Sequence, residues 1–436
     1  MYRKAIESLR AWKKSPRRIP LILRGGRQVG KTWLMEEFGR REYETCAYIN
    51  FEGNDRMLRL FSGDLDVSRI LSGLRLETGC AIDPEKTLIV FDEIQAVPMA
   101  LTSLKYFQEN APEYHVIAAG SLLGVALHPE TSFPVGKVDF CDIAPLDFSE
   151  FLRAMGKEEF LSVLEKGEWE IVSSFRDTFV ELLKQYLLIG GMPEVVSVFS
   201  ETRGFEEARA IQRRILAAYE QDVSKHAPNE AVPRIRMLWN SIPSQLAREN
   251  RKFLYGLVRE GARAREYELA LTWLIDCGLV HRVKRVTKPG MPLRAYEELS
   301  AFKLFLLDVG LLSAMTELDP KTLLDGSRIF EEFKGALTEQ YVLQQLKATD
   351  ALPVNYWSAD SGTAEVDFVI QSHGLIVPVE VKAAENLKAK SLRVYREKFA
   401  PEISVRTSLS DFRREAWLVN IPLYGISQIQ KQIGRS

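Results

Sequence analysis

The sequence has few cysteines, few histidines and no long apolar run. Its 436 residues include five histidines and four cysteines, Cys46, Cys80, Cys141 and Cys277. The cysteines are far apart and lack the paired spacing of a zinc site, which favours reduced thiols that only pack. No apolar stretch approaches the roughly 18 residues that a transmembrane helix needs, and the polar start Met-Tyr-Arg-Lys is not a signal peptide. We therefore expect a cytoplasmic protein with no membrane partner, no disulfide framework and no zinc centre.

The sequence also lacks an excess of charge of either sign. It contains 58 Lys and Arg residues and 59 Asp and Glu residues, a formal net charge of −1. This balance excludes a nucleic-acid binder that is basic over its whole surface, although a local basic face is still allowed. Hydrophobic residues make up 46% and charged residues 27% of the chain. These values are typical of a globular protein, with about two to four domains at this length.

A phosphate-binding motif follows the first apolar run of the chain, residues 21–23. The motif is G-x-x-x-x-G-K-T, from Gly25 to Thr32. Its glycines let backbone N–H groups turn around a polyphosphate, and the helix that follows adds the positive end of its dipole. We expect Lys31 to reach the β- and γ-phosphates of ATP and Thr32 to bind Mg²⁺. The expected nucleotide-binding residues of the motif are Gly25, Gly26, Arg27, Gln28, Val29, Gly30, Lys31 and Thr32.

A second apolar run, residues 87–91, ends in the adjacent acids Asp92 and Glu93. This is the pattern of a Walker B strand, in which Asp92 holds Mg²⁺ through water and Glu93 is the catalytic residue that polarises the attacking water. Ligands bind at the carboxyl ends of buried parallel strands in open α/β sheets. The alternative, in which the two acids only cap the next helix, is weakened by the phosphate-binding motif upstream.

Strand-like and helix-like patterns alternate from residue 15 to residue 145, which predicts an α/β fold with a parallel sheet covered by helices. We expect a P-loop ATPase domain over residues 1–146 and a helical lid over residues 147–230. Residues 231–300 show two helical patterns and then a strand pair, at 280–286 and 293–296, which is the order of a winged helix-turn-helix. Within residues 251–290, nine Lys or Arg residues outnumber four acids. DNA contact and simple packing between domains remain alternatives for this stretch.

The last predicted domain, residues 301–436, contains a hairpin with charged residues on one face. Side chains alternate along a strand, so Glu380 and Lys382 project together, and the turn at 371–374 can bring Asp367 beside them. The two acids can bind Mg²⁺ or Mn²⁺, and the lysine can position the attacking water, which makes all three candidate catalytic residues. Glu339, on the preceding helix, is expected to complete the metal site. A solvated strand face with a charge pair is the alternative.

Several stretches together resemble the prokaryotic AAA-type P-loop ATPases that carry a C-terminal domain of unknown function. They are the motif at 25–32, Phe91-Asp-Glu-Ile94, Ala119-Gly-Ser-Leu-Leu123, residues 145–151, Gly190-Gly-Met-Pro193 and Ile242-Pro-Ser-Gln-Leu246. Residues 306–311, Glu365-Val-Asp-Phe368 and Val379-Glu-Val-Lys382 are similar to that C-terminal domain and to restriction-endonuclease-like nucleases of the PD-(D/E)xK type. Val366 is a departure, because those nucleases often have a proline there.

The resemblance implies an AAA+-like parallel sheet, a helical lid, a winged helix and an α/β restriction-endonuclease-like domain. It places Ser121 where a polar side chain called sensor 1 contacts the γ-phosphate or the attacking water. A helix N-cap is an equal alternative for Ser121. Lys137 lies where related ATPases often carry a cation near the nucleotide, and a solvated surface lysine is the alternative.

We therefore expect an ATP-binding and ATP-hydrolysing protein of the AAA type that uses Mg²⁺. Its C-terminal domain is a candidate Mg²⁺-dependent nuclease that acts on DNA. Hydrolysis is expected to move the lid and the winged helix relative to the C-terminal domain. The alternative is a nucleotide-dependent switch or DNA-binding scaffold with an inactive C-terminal docking domain. ATP is the expected ligand, and DNA and a second copy of the chain, in a homo-oligomer, are candidate partners.

Overall fold

The computed structural model of the chain consists of two compact units. The described residues are 1–120, 134–248, 252–324, 331–348, 352–359, 364–384 and 390–434. The N-terminal unit comprises Arg3–Ala144 with Asp276–Leu279, and the C-terminal unit comprises Met1–Tyr2, Pro145–Ile275 and Val280–Ser436. None of the helices described in either unit is long and apolar enough to cross a membrane.

The N-terminal unit contains a five-stranded parallel sheet. Its strands are β1 (Leu21–Arg24), β2 (Thr45–Asn50), β3 (Thr87–Asp92), β4 (His115–Ala119) and β5 (Asp139–Asp142). Its helices are α1 (Ala5–Lys14), α2 (Lys31–Glu42), α3 (Asp55–Ser62), α4 (Val67–Thr78) and α5 (Pro98–Asn110), and Ile94–Ala96 form a 3-10 turn. The strand order is β2-β3-β4-β1-β5, and every adjacent pair is parallel. The parallel sheet predicted for residues 15–145 is confirmed.

Burial and capping explain why these elements could be predicted from the sequence. Every residue of β3 and β4 is buried, as expected for strands covered on both faces. Helix α4 begins after Asp66, whose side chain accepts a hydrogen bond from the N–H of Arg69, and it ends before Gly79, which has a φ of 69°. An acidic N-cap and a left-handed glycine are strong signals for the two ends of a helix. These two signals account for the observed ends of α4.

The C-terminal unit combines many helices with an eight-stranded mixed sheet. Its helices are α6 (Phe148–Ala154), α7 (Glu158–Lys166), α8 (Trp169–Ser174), α9 (Arg176–Ile189), α10 (Pro193–Thr202), α11 (Phe205–His226), α12 (Val232–Leu246), α13 (Ala264–Asp276, whose last residue falls in the N-terminal unit), α14 (Val309–Met315), α15 (Pro320–Leu324), α16 (Glu331–Ala348), α17 (Lys390–Phe399) and α18 (Ile429–Ile433). Its strands are β6 (Val280–Val286), β7 (Glu297–Leu306), β8 (Val354–Ser358), β9 (Glu365–Ser372), β10 (Leu375–Val381), β11 (Ser404–Ser408), β12 (Arg413–Arg414) and β13 (Leu418–Pro422). The strand order is β12-β13-β11-β10-β9-β8-β6-β7.

The strand pair predicted at 280–286 and 293–296 differs from the observed hairpin. Leu293–Tyr296 form a 3-10 turn, and the second strand is β7, which starts at Glu297. The hairpin is also not a separate wing, because β6 pairs with β8 and the side chain of Asn355 donates a hydrogen bond of 3.2 Å to the carbonyl of Lys284. Pairing with β8 provides partners for backbone N–H and C=O groups of β6 that would be unpaired in an isolated hairpin. The boundary predicted between residues 300 and 301 consequently falls inside β7.

Buried amide side chains of α16 join the predicted lid helices to the C-terminal sheet. Gln345 Oε1 accepts a hydrogen bond of 2.8 Å from the N–H of Phe148. Gln340 accepts from the N–H of Leu306 at 2.9 Å and donates to its carbonyl at 2.7 Å. Buried polar groups need such partners, so these bonds fix α16 against both β7 and the start of α6. The helices predicted as a lid, residues 147–230, therefore lie in the same compact unit as the C-terminal sheet.

Candidate functional site

Two positions of the phosphate-binding motif need glycine for different reasons. Gly25 has a φ of 143°, and a Cβ atom at this residue would lie 2.1 Å from the carbonyl oxygen of Ile143. Gly30 has a φ of 88° and directly precedes α2. Both conformations are strained for residues with a side chain. The loop between β1 and α2 thus has the backbone that the motif predicted, with the start of a twelve-residue helix at its end.

The side chain of Lys31, the first residue of α2, reaches back into this loop. Its Nζ atom donates hydrogen bonds to the carbonyl oxygens of Gly25 at 2.9 Å and Gly26 at 2.8 Å. Burial lowers the pKa of Lys31 to about 8, and the carboxylates of Glu93 and Asp92 oppose this shift. A polyphosphate in the loop would supply the negative charge that the buried ammonium group needs. The residues present therefore fit a nucleotide.

Arg3 supports the loop from outside the motif. Its guanidinium group is buried, and it donates hydrogen bonds to the carbonyl oxygen of Val29 at 2.9 Å and to that of Ala144 at 2.6 Å. The loop is thereby tied to the segment that follows β5. Sequence reasoning did not identify Arg3, because no local pattern connects it with a motif more than twenty residues away.

The acid at the end of β3 contacts the first turn of α2. Thr32 Oγ1 donates a hydrogen bond of 2.7 Å to Asp92 Oδ2. Asp92 is buried, and its other oxygen accepts a hydrogen bond of 3.0 Å from the N–H of Glu93. A third donor, the hydroxyl of Tyr48 on β2, lies 2.8 Å from Asp92 Oδ2. The structure therefore brings together the two residues that the sequence assigned to Mg²⁺, and it adds Tyr48, which the sequence analysis did not identify.

Glu93 has an unusual backbone conformation. Its φ of 49° lies in the left-handed region, which costs free energy for a residue other than glycine and is frequent at active sites. The side-chain amide of Gln95 donates a hydrogen bond to Glu93 Oε2. The carboxylate is therefore oriented by a neighbour two residues along the chain, beside the Mg²⁺ candidate Asp92.

Two further residues from the sequence analysis have different outcomes. Ser121, the candidate sensor 1 residue, lies outside the described residues. Lys137 forms an ion pair of 3.0 Å with Glu109. This contact favours the surface-lysine alternative, because a partly exposed pair of this kind satisfies the cation without a nucleotide.

The charged residues Asp367, Glu380 and Lys382 lie at the open end of the C-terminal hairpin. Strands β9 and β10 are antiparallel, and their ladder ends at the pair Val379 and Phe368, so Glu380 and Asp367 lie just beyond its last pair. Asp367 Oδ2 accepts a hydrogen bond of 2.7 Å from the N–H of Val381. Lys382 Nζ lies 2.9 Å from Glu380 Oε1. Burial raises the pKa of Glu380, while the nearby Lys382 opposes this shift.

Glu339 does not complete this group. Its Oε2 atom lies 3.7 Å from Nζ of the fully buried Lys303 on β7, and that lysine also contacts Oε1 of Glu365 at 2.5 Å. Across the described ranges no group of three or more His, Cys, Asp or Glu side chains could hold a metal ion. The predicted three-acid site is therefore corrected to a pair, Asp367 and Glu380. The reason is the ion pairing of Glu339 with a lysine from a distant strand.

The sheet extends this pair into a row of polar side chains that the sequence analysis missed. Glu380 pairs with Arg406 on β11, and Arg406 pairs with Asn420 on β13. Arg406 is buried, and its Nε atom donates a hydrogen bond of 3.0 Å to Asn420 Oδ1. Two cations, Lys382 and Arg406, thus accompany two acids. Only the strand register joins these residues, so no local motif could have identified the row.

The basic stretch of residues 251–290 is partly neutralised by β7. Lys284 forms an ion pair of 2.6 Å with Glu297, and Arg285 forms one of 2.9 Å with Glu298. These acids lie just beyond the stretch that was counted. Arg259 and Arg263 are exposed. Two cations of β6 are therefore paired with acids of β7, and the two exposed arginines precede α13.

The N-terminal geometry defines a class of protein. A parallel sheet whose first strand leads through a glycine loop into a helix, with an acidic strand end bonded to that helix, is a P-loop nucleotide-binding domain. Residues 17–152 match a family model described as an AAA domain. Residues 180–322 and 334–424 match models described as domains of unknown function, DUF8612 and DUF4143.

Three of the solved structures that are similar to this chain have low sequence identity to it. The Walker-type ATPase PABY2304 of Pyrococcus abyssi is 15% identical, with 71% of this chain and 94% of that chain covered and a TM-score of 0.44. The Orc1 protein of Aeropyrum pernix in complex with DNA is 15% identical, with 72% and 91% covered and a TM-score of 0.27. Cdc6p of Pyrobaculum aerophilum is 12% identical, with 74% and 93% covered and a TM-score of 0.26. A search of curated proteins finds no match.

Proposed function

We propose that the chain binds ATP with Mg²⁺ at the loop of residues 25–32 and hydrolyses it. The observation that carries this proposal is the contact between Thr32 and Asp92, 2.7 Å from Oγ1 to Oδ2. It joins the end of β3 to the helix that follows the loop, which is the arrangement needed to hold a metal ion beside bound phosphates. The match of residues 17–152 to an AAA domain supports the same function.

Each residue of the site has a defined task in this proposal. The backbone N–H groups of the loop and the Lys31 ammonium group bind the phosphates, which displace the bonds from Lys31 to Gly25 and Gly26. Thr32 and Asp92 would hold Mg²⁺, which when bound neutralises charge on the phosphates. Glu93 accepts a hydrogen bond from the attacking water and raises its nucleophilicity. The bond from Gln95 to Glu93 must weaken when the carboxylate turns toward that water.

Calorimetric titration of the full chain with ATP and Mg²⁺ tests the proposal. Binding of ATP to the wild-type protein should give a heat signal. Lys31→Ala should give no heat signal, because the loop loses the ammonium group that reaches Gly25 and Gly26. Lys86→Ala is a matched control, since Lys86 is an exposed lysine of the same unit that pairs with Glu44. The absence of ATP binding by the wild-type protein would refute the proposed function.

A second proposed function is metal-dependent cleavage of DNA by the C-terminal unit. It is favoured by Asp367 and Glu380, which lie just beyond the last pair of the β9–β10 ladder, with Lys382 beside Glu380. Glu380 is 2% exposed, and its Oε2 atom accepts no hydrogen bond from the described part of the chain. A buried carboxylate oxygen of this kind is costly unless it binds something. The alternative is a nucleotide-dependent switch or DNA-binding scaffold in which this unit only docks to a partner.

Plasmid DNA incubated with the protein, Mn²⁺ and ATP distinguishes these two alternatives. If the pair is catalytic, the wild-type protein nicks the plasmid and the double variant Asp367→Ala/Lys382→Ala does not. Asp319→Ala is the control, because Asp319 is an exposed acid of the same unit. Equal nicking by the wild-type protein and the double variant would reject the site. Absence of nicking by the wild-type protein would favour the scaffold.

A further inference from the structure

We propose that Tyr48 is a positioning residue of the magnesium site, which holds the carboxylate of Asp92 in the orientation needed for the metal ion. This inference rests on the ATP-binding function proposed above. Tyr48 belongs to neither nucleotide-binding motif. Its hydroxyl nevertheless donates a hydrogen bond of 2.8 Å to Asp92 Oδ2, the same oxygen that Thr32 contacts.

The strand register explains how Tyr48 reaches Asp92. Strands β2 and β3 are parallel, with Tyr48 paired to Val90 and Asn50 paired to Asp92. Alternate residues of a strand share a face of the sheet. Tyr48 therefore lies on the same face as Asp92, two residues before the residue of β2 that pairs with Asp92. A tyrosine is long enough to span this diagonal, which is within reach of aromatic side chains in a sheet. A shorter residue at this position would not reach the carboxylate.

The hydrogen bonds of Asp92 show what the tyrosine does. A carboxylate has about four acceptor sites, two on each oxygen. Asp92 Oδ2 accepts from the two hydroxyls of Thr32 and Tyr48, and Oδ1 accepts from the N–H of Glu93. Within the described residues, Oδ2 thus has both of its sites filled, whereas Oδ1 retains one. Tyr48 therefore prevents rotation of the carboxylate and determines which oxygen is left for a metal ligand.

The Tyr48 hydroxyl acts from the second coordination shell, because it contacts the carboxylate that is expected to hold the metal ion and not the ion itself. Partners in the second coordination shell of a metal orient its ligands in this way, and their loss typically weakens metal binding by about 10- to 100-fold.

The test replaces Tyr48→Phe, which removes one oxygen and keeps the ring that packs. Tyr43→Phe is the matched control, since the Tyr43 hydroxyl bonds to Nδ1 of His115 at 2.6 Å, in the same unit, and has no contact with Asp92 among the described hydrogen bonds. Each full-length protein is titrated with ATP in the calorimeter, first with EDTA and then at increasing Mg²⁺ concentration. Binding of Mn²⁺ to the protein–ATP complex, followed by electron paramagnetic resonance, gives a second readout that does not depend on hydrolysis.

We expect Tyr48→Phe to bind ATP without metal as the wild-type protein does. The Mg²⁺ and Mn²⁺ concentrations for half-maximal effect should rise by about tenfold, and Tyr43→Phe should match the wild-type protein in both assays. In an Asp92→Asn background, Tyr48→Phe should add nothing, because both changes act on one carboxylate. An unchanged metal dependence would overturn the proposal, as would an equal loss of ATP affinity in EDTA. Failure of the proposed function is distinguishable, because the wild-type protein itself would then not bind ATP.

Discussion

The carboxylate of Asp308 accepts a hydrogen bond of 2.6 Å from the backbone N–H of Gly191. The same side chain accepts from Gln344 Nε2 at 2.9 Å and from the N–H of Leu311 at 3.0 Å. A Cβ atom at Gly190 would lie 2.1 Å from Asp308 Oδ1. The Gly-Gly-Met-Pro turn is therefore shaped to receive an acid from the end of β7, which gives this sequence motif a structural role.

This buried contact bears on one expectation about motion. The sequence analysis expected hydrolysis to move the lid helices relative to the C-terminal domain. Moving the turn that follows α9 away from Asp308 would break the hydrogen bond from the N–H of Gly191 and leave buried polar groups unpaired, at a cost of about 1–3 kcal/mol for each. This contact therefore opposes separation of the Gly191 turn from the junction between β7 and α14.

Replacing Asp308→Asn tests how much this contact stabilises the C-terminal unit. Asparagine has the same shape, but its amide group must face one of the N–H donors, so we expect a loss of about 2 kcal/mol. For a unit of this size that corresponds to roughly 3 °C in the unfolding midpoint, measured by differential scanning calorimetry. Asp319→Asn is the control, because its carboxylate also accepts a backbone N–H, from Lys321 at 2.9 Å, but is exposed. Equal midpoints for both variants would contradict the role of Asp308.

Replacing Glu93→Gln separates ATP binding from turnover. The amide keeps the size of the side chain but cannot accept a proton from water, so turnover should fall by about 10²- to 10⁴-fold while ATP still binds. Release of inorganic phosphate and calorimetric ATP affinity are the two measurements. Glu113→Gln, at an exposed residue of the same unit, should behave like the wild-type protein. Hydrolysis at the wild-type rate by the Glu93 variant would remove the catalytic role assigned to it.

Replacing Gly25→Ala tests the close approach of the loop to the sheet. The new Cβ atom would meet the carbonyl oxygen of Ile143, so we expect a loss of about 3 kcal/mol or more in stability and loss of ATP binding. Gly53→Ala is the matched control, since Gly53 has a φ of 67° and its Cβ would have no described neighbour within 4 Å. That variant should lose about 1 kcal/mol from backbone strain alone. Similar unfolding midpoints for the two variants would show that the close contact with Ile143 does not add to the loss of stability.

His115 makes the stability of the N-terminal unit depend on pH. It is 3% exposed, and burial, with Arg18 and Lys13 nearby, lowers its pKa to about 4 from 6.5. Below pH 6.5 the unfolded chain therefore binds a proton that the folded unit does not, and stability falls as the pH decreases toward 4. The loss is on the order of 3 kcal/mol for a shift of this size.

Thermal unfolding between pH 8 and pH 4 checks this prediction. His115→Asn is the informative variant, because its side-chain oxygen can replace Nδ1 as a partner for the Tyr43 hydroxyl without titrating in this range. Between pH 6.5 and pH 4, we expect the unfolding midpoint of the variant to decrease less than that of the wild-type protein. An identical pH dependence of the two proteins would mean that His115 does not contribute.

The structure agrees with the sequence where the signal is local. The motif at 25–32 predicted the loop between β1 and α2, and the apolar run before Asp92 predicted β3. The apolar runs around the turn at 371–374 predicted the antiparallel hairpin of β9 and β10. Each of these inferences depends on turn chemistry or on periodicity over about ten residues, and both act within a short stretch of chain.

The sequence by itself thus determined the nucleotide-binding loop, the parallel sheet around it and the charged hairpin near the C-terminus. Only the tertiary structure decided which partners those residues have. In the tertiary structure Tyr48 contacts Asp92, Lys303 contacts Glu339, and Asp308 contacts Gly191. The physical reason is that each of these contacts joins residues on different strands or helices, so it depends on strand order, register and buried packing, none of which a local pattern of residues encodes.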